Sequence, residues 1–320
     1  MLPDVQASSR GSHCRKEEQV LVLILELFLP HALVARILFL LLLGLGFAPC
    51  TVIAAQAMHE VTLALTPSRD PTLLHEVGGE LGRYLSRHLG MPIRVHVASD
   101  YAGVIEALRS QLVDVAFLTA VGYVLAAREA DAEIAVKALR GGRADYAARI
   151  FVLQESAISR LAELRGKTIA FVDPASSSGF IYPMVLLVKE GFVQNRDPKS
   201  FFKESIFAGG HDAALLSVLN GSVDAAAAFD EAPERILKDP MKAARFRYIA
   251  ETARIPNDGA ALRHSLGAEL KRRITASLLA LNTTEGIDLL RRLYNIDGLV
   301  IAHDSDYDPV REAVDLLGVR

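Results

Sequence analysis

Tryptophan is absent from the 320 residues, and cysteine occurs only twice, as Cys14 and Cys50. Both precede Ala57, so the chain beyond it has no thiol for nucleophilic catalysis, disulfide bonding or a Cys-based metal site. An oxidising compartment therefore poses it no disulfide problem. An excess of basic charge is also missing: the formal net charge is −3, and the electrostatic footprint of a nucleic-acid-binding protein is lacking. No Walker loop, metal-ligand motif or Gly-x-Ser-x-Gly elbow occurs. These absences leave little basis for an enzyme, and no cofactor is expected.

A long hydrophobic run is present only near the start. Arg36 precedes Ile37–Phe47, an apolar stretch of 11 residues, and Ala55-Gln56-Ala57 follows with the small-x-small form of a cleavage site. Residues 34–57 read as a secretory signal peptide, with 1–57 as an N-terminal extension plus signal and the remainder exported to the periplasm. Two alternatives stay open. Residues 37–57 are long enough to persist as a membrane anchor, and Cys50 is a candidate lipoprotein cysteine, although Pro49 before it fits that role poorly.

From residue 58 onward strands alternate with helices, the pattern of a parallel-sheet α/β protein. Val61–Leu65 reads as a strand. Asp70 and Pro71 open a helix carrying Leu74, Val77, Leu81, Leu85 and Leu89 at helical spacing, and Gly90 ends it. Ile93, Val95 and Val97 alternate as a second strand. Ser99-Asp100 caps a helix over 101–111, and 113–118 is a third strand. The tail is expected to be helical over 266–281, 284–294 and 309–317.

An internal repeat implies two lobes built alike. Tyr101–Leu108 runs into Leu112–Ala116, and His211–Val218 runs into Ser222–Ala226; Tyr101 precedes Asp114, and His211 precedes Asp224, by the same 13 residues. Ligands of open α/β sheets bind beyond the carboxyl ends of the strands, where the following helices begin. Tyr101 and His211 would then occupy equivalent helix starts on either side of a shared cleft. The expected division is 58–151 with 251–320 as the first lobe and 152–250 as the second. Asp114 and Asp224 read as turn residues.

The stretch Asp173-Pro174-Ala175-Ser176-Ser177-Ser178-Gly179 lies between an apolar strand, Thr168–Val172, and a helix over 180–191. A helix start offers unpaired N–H groups and the positive end of the dipole, a ready anion site. A plain N-cap needs only one serine; three hydroxyls and a glycine favour an anion.

These segments, with Asp100–Leu108, Gly210–Ala213, Val223–Ala226 and Ile255-Pro256-Asn257-Asp258, resemble the phosphate/phosphite/phosphonate-binding proteins of ABC transporters (PhnD-like). The resemblance spans most of 60–285. It implies a type II two-lobed periplasmic-binding-protein fold of the α/β class, with its ligand cleft between lobes joined by a two-strand hinge. It also implies capture of a phosphorus oxyanion by lobe closure and delivery to a permease and its ATPase. By position it assigns ligand contacts to Tyr101, Tyr123, Ser176, Ser177, Ser178, His211 and Asp230. The stretch around Tyr123, Thr119–Tyr123, departs from the family's usual Gly-Pro form, and the spacing from Asp224 to Asp230 varies among relatives.

The chemistry is consistent with that assignment. Hydroxyls, an imidazole N–H and helix-start amides donate to a phosphonate oxygen, so neutral donors suffice without a basic cluster. Asp230 makes sense where the ligand presents a donor, and it would then reject fully ionised anions. Each residue also has a bland role: Tyr101 and Tyr123 as packing residues with a wet tip, His211 and Asp230 as helix caps, Asp212 as a helix-start residue. Two other function classes compete with this reading. A serine hydrolase would use the serines, His211 and an aspartate, but Asp212 adjoins His211 and is badly placed to orient it. An anchored sensor domain would share the fold and the ligand, and a sulfonate is the alternative anion.

Overall fold

The computed structural model describes residues 60–319. Eleven strands in this part form two mixed sheets, one in each of two lobes. The first sheet has the order β11-β4-β10-β3-β1-β2, with β1 (Val61–Leu65), β2 (Ile93–Val97), β3 (Val115–Leu118), β4 (Glu133–Leu139), β10 (Gly259–Leu262) and β11 (Gly298–Ile301). Strand β1 runs parallel to β2 and β3, and β10 is antiparallel to both β3 and β4. The second sheet has the order β7-β6-β8-β5-β9, with β5 (Asp145–Leu153), β6 (Thr168–Phe171), β7 (Glu204–Phe207), β8 (Ala225–Phe229) and β9 (Phe246–Pro256). Here β6 is parallel to β7 and β8, and β5 is antiparallel to β8 and β9.

Local chemistry accounts for the helices. Helix α1 (Pro71–Leu89) starts where Asp70 Oδ1 accepts from the Leu73 N–H at 3.0 Å and ends at Gly90, whose φ of 70° suits glycine. Its buried stripe includes Leu74, Val77, Leu81, Leu85 and Leu89, the spacing seen in the sequence. Helices α2 (Tyr101–Arg109) and α3 (Ala120–Ala130) are capped by Asp100 and Thr119. In the second lobe, α4 (Tyr182–Lys189) and α5 (His211–Leu219) follow β6 and β7. Helix α4 is shorter than the 180–191 expected, because Ser177–Ile181 winds as a wider π-type turn with the Ile181 N–H donating to Ser176 O. Short helices α6 (Ala232–Ile236) and α7 (Pro240–Ala243) precede β9. Helices α8 (Ala268–Leu279), α9 (Thr284–Tyr294) and α10 (Asp308–Leu317) form the tail. Helix α10 packs on α3 of the first lobe and on α4 of the second.

The repeat has a structural cause. Asp114 Oδ2 accepts from the Thr62 N–H at 2.9 Å at the start of β1, and Asp224 Oδ2 accepts from the Thr168 N–H at 2.8 Å at the start of β6. In each lobe the aspartate after the helix thus satisfies an amide at the start of the neighbouring parallel strand.

The chain passes between the sheets twice, at 140–144 and at 257–258. Strands β5 and β9 pair along their whole length within the second sheet, from Asp145↔Pro256 to Leu153↔Phe246. The crossings therefore lie just outside these strands, whereas the expected divisions at 151 and 251 fall inside them. Gly141 and Gly142, both at positive φ, make the turn that precedes β5. Asn257, fully buried, ties the two crossings together: its N–H donates to Ala144 O, and its Nδ2 donates to Ala138 O and Arg143 O. The expected signal peptide and both cysteines lie outside the described residues. No helix among the described residues is long and apolar enough to cross a membrane.

Candidate functional site

The serine loop follows β6 and is shaped by its own bonds. Asp173 Oδ1 accepts from the Ala175 N–H at 2.8 Å, and Ser176 Oγ accepts from the Gly179 N–H at 3.1 Å. Only glycine fits at 179, since a Cβ there would stand 2.4 Å from Cβ of Val172. Ser176, Ser177 and Ser178 are all buried, but their directions differ. Ser176 and Ser178 line a cavity of about 40 Å³ between the lobes. Ser177 does not; its Oγ accepts from the Val121 N–H of the opposite lobe at 2.9 Å.

His211 also lines the cavity, at the start of α5. It is buried with Nδ1 unpartnered, and its ring stands edge-on to Phe229 at 5.1 Å. Burial, reinforced by the positive charges of Arg140 and Arg69, pushes its pKa down to about 3. The imidazole is thus neutral in this environment, one nitrogen donating and one accepting. Tyr101, at the start of α2, is not among the residues lining the cavity; its hydroxyl is buried and unpartnered near Ser176, and burial, with Asp173 and Asp258 nearby, pushes its pKa well up. It therefore stays a protonated donor.

Tyr123 and Asp230 are placed elsewhere. The Tyr123 hydroxyl donates to Asp304 Oδ1 at 2.5 Å, on the wall of an open groove of about 750 Å³ on the first lobe. Asp230 Oδ2 accepts from the Ala147 N–H at 3.1 Å, and its carbonyl accepts from Arg149, so it is engaged in joining β8 to β5. The large groove gathers no convergent donors. Its charges pair among themselves or with neighbours: Arg311 with Asp304, Arg128 with Asp315, Glu133 with Lys271.

The cavity instead contains residues not anticipated as contacts: Arg69, Arg140, Tyr146, Asp258 and Tyr294. The expectation of a site without basic side chains is corrected by the two arginines. Arg140 Nη2 donates to Asp258 Oδ2 at 2.7 Å and Nη1 to Asn257 Oδ1 at 3.0 Å. Burial works against its charge, but Asp258, Tyr146 and Asp230 together hold the pKa above the ordinary guanidinium value. The other Asp258 oxygen, Oδ1, is buried without a partner. Arg69 Nη1 donates to the carbonyls of Arg292 and Leu293 at the end of α9. Burial lowers its pKa, opposed by Asp212, Tyr294 and Asp70. The signals for these residues were present but indirect. Asp258 closes the Ile255–Asp258 motif, and Arg140 and Tyr146 flank a Gly-Gly turn at the lobe crossing, where the chain necessarily borders the cleft.

Chemically, two arginines, three serines, a threonine, a neutral histidine and two tyrosines line the cavity, against one free carboxylate oxygen. Such a set is chemically suited to an oxyanion. It lacks a nucleophile–base–orienter arrangement, since Asp212 Oδ1 accepts from the Ala213 N–H. The described residues contain no metal-ligating cluster.

Known proteins resemble this chain in sequence and fold. A family model for the phosphonate periplasmic substrate-binding protein of ABC transporters matches residues 63–307. The phosphate-import protein PhnD of Mycolicibacterium smegmatis is 30% identical over 275 residues, covering 81% of this chain and 86% of the relative. Among solved structures, the binding protein component of an ABC phosphonate transporter from Pseudomonas aeruginosa superposes with a TM-score of 0.74 at 24% identity, over 82% of this chain and 87% of that one. PhnD1 from Prochlorococcus marinus, solved with methylphosphonate, gives 0.72 at 19% identity, over 81% and 98%. The fold is that of type II periplasmic binding proteins. The chain belongs to the phosphonate-binding periplasmic protein family of ABC transporters, whose members are binding proteins and not enzymes.

Proposed function

We propose that the protein captures a small tetrahedral phosphorus oxyanion in the periplasm by closing its two lobes and delivers it to a membrane permease and its ATPase. The observation that carries this reading is the cavity itself. At about 40 Å³, and at roughly 10–15 Å³ per water-sized group, it has room for one tetrahedral oxyanion and little for an attached carbon chain. Phosphate, phosphite and methylphosphonate fit that limit; an aminoalkyl arm does not.

Ser176, Ser178, His211, Tyr146, Arg69 and Arg140, which line the cavity, are the donors in this reading. Charge-assisted bonds to such an anion contribute about 1.5–3 kcal/mol each. The unpartnered Asp258 oxygen takes the role expected of Asp230: it accepts from a protonated ligand oxygen. Sulfate carries no proton near neutral pH and would set its charge against that carboxylate, so it is refused. The relative that imports phosphate and the neighbour solved with methylphosphonate are in keeping with this range of ligands.

Calorimetric titration with phosphate, phosphite, methylphosphonate, 2-aminoethylphosphonate and sulfate tests the reading. Tight binding of one or more of the first three, weak binding of 2-aminoethylphosphonate and none of sulfate is expected. Failure of all the phosphorus compounds, or preference for sulfate, overturns it.

A further inference from the structure

The serine loop alternates in direction. Ser176 and Ser178 face the cavity, while Ala175 and Ser177 bond to the other lobe. Thr119 Oγ1 donates to Ala175 O at 3.1 Å, and the Val121 N–H donates to Ser177 Oγ at 2.9 Å. Thr119 is the N-cap of α3 and itself lines the cavity. Within α3's first turn the Gly122 N–H is satisfied by Thr119 Oγ1 at 3.0 Å, but the Val121 N–H has its partner only across the cleft. Val121 and Ser177 are both fully buried. The opposite exchange occurs at α5, where the His211 N–H donates to Ser68 O at 3.2 Å. Each lobe therefore caps a helix start of the other.

We propose that Ser177 is a positioning residue that latches the lobes shut over the ligand by capping α3 from the opposite lobe, while Ser176 and Ser178 of the same loop hold the anion. The proposal rests on the ligand reading above and adds to it how occupancy is conveyed to closure. When the lobes part, the Val121 N–H and the Ser177 hydroxyl go to water, so the bond favours the closed form by the difference between a buried bond and a hydrated pair. An anion that orders Ser176 and Ser178 orders Ser177 between them, and the latch then forms without a separate step. Removing the latch should leave the encounter rate intact and raise the dissociation rate, because the bond is made only after closure.

Two measurements test this, with phosphate and methylphosphonate as probes. In stopped-flow binding, Ser177→Ala should leave the association rate within about twofold and raise dissociation about five- to tenfold. Small-angle scattering at saturating probe should find a fraction of Ser177→Ala molecules still open. Ser178→Ala should weaken binding yet close fully once saturated. Equal closure and unchanged dissociation for Ser177→Ala overturn the latch, as does behaviour indistinguishable from Ser178→Ala. Amide hydrogen exchange on the wild type needs no variant: the Val121 N–H should be protected with probe bound and exchange readily without it, and equal protection in both states also overturns the latch. If the wild type binds neither probe, the ligand reading fails and the latch falls with it; if it binds but these readouts fail, only the latch falls.

Discussion

Asp258 places one carboxylate oxygen 2.7 Å from Arg140 Nη2 and leaves the other buried without a partner beside the interlobe cavity. The ion pair neutralises much of the charge of both residues, while the free oxygen is an acceptor among donors. A buried acceptor left unpaired costs about 1–3 kcal/mol, and a ligand O–H would recover that cost. Asp258→Asn should therefore reduce phosphate affinity by about tenfold or more and narrow the gap between phosphate and sulfate, since an amide can donate to sulfate. Parallel calorimetric titrations of both anions check this; an unchanged preference would remove Asp258 from the selectivity argument.

Arg69 forms no ion pair within 4.0 Å among the described residues, unlike Arg140. It is thus the cation of the cavity whose charge is left for a ligand. Arg69→Gln should lower phosphate affinity about tenfold or more, in line with loss of one charge-assisted bond, and flatten the dependence of affinity on salt. Because Arg69 also holds the last carbonyls of α9, a modest fall in Tm should accompany it. Arg69→Lys should restore much of the salt dependence.

His211 gives a stability dependence with a defined sign. Its folded pKa is about 3, against an ordinary value of 6.5. Between these values the unfolded chain binds a proton at His211 that the folded chain does not. Stability from this group is therefore full above about pH 6.5 and falls as pH drops towards 3, by up to about 1.4 kcal/mol per pH unit. Urea unfolding at pH 5, 6, 7 and 8 should show a slope below pH 6.5 that His211→Asn reduces. Identical slopes would mean that His211 protonates freely in the folded protein.

Tyr123 and Asp230 are not among the residues lining the cavity, and their side chains bond to Asp304 and to the Ala147 N–H instead. Tyr123→Phe and Asp230→Ala should each leave phosphate affinity within about twofold. Each should cost stability by about 1 kcal/mol or somewhat more, the worth of one part-buried bond. Chemical denaturation alongside titration separates the two effects, and a large affinity loss in either variant would return that residue to the binding site.

The alternation of strand and helix, the cap and stripe of α1, the repeated aspartates and the serine loop at a strand-to-helix junction were all legible in the sequence. Each depends on spacing over a few residues, which backbone geometry converts directly into a local structure. Tyr101 and His211 could be placed at helix starts for the same reason. What only the tertiary structure decided is direction and convergence. Whether Ser177 turns to the ligand or to the other lobe depends on where α3 lies, and Tyr123 turns from the cleft because Asp304, 181 residues away, takes its hydroxyl. Arg69, Arg140, Tyr146, Asp258 and Tyr294 come from a loop, the two crossings, a strand start and a helix end scattered along the chain. No local pattern links them, and only the packing of two lobes around two short crossings brings their charges to one small cavity.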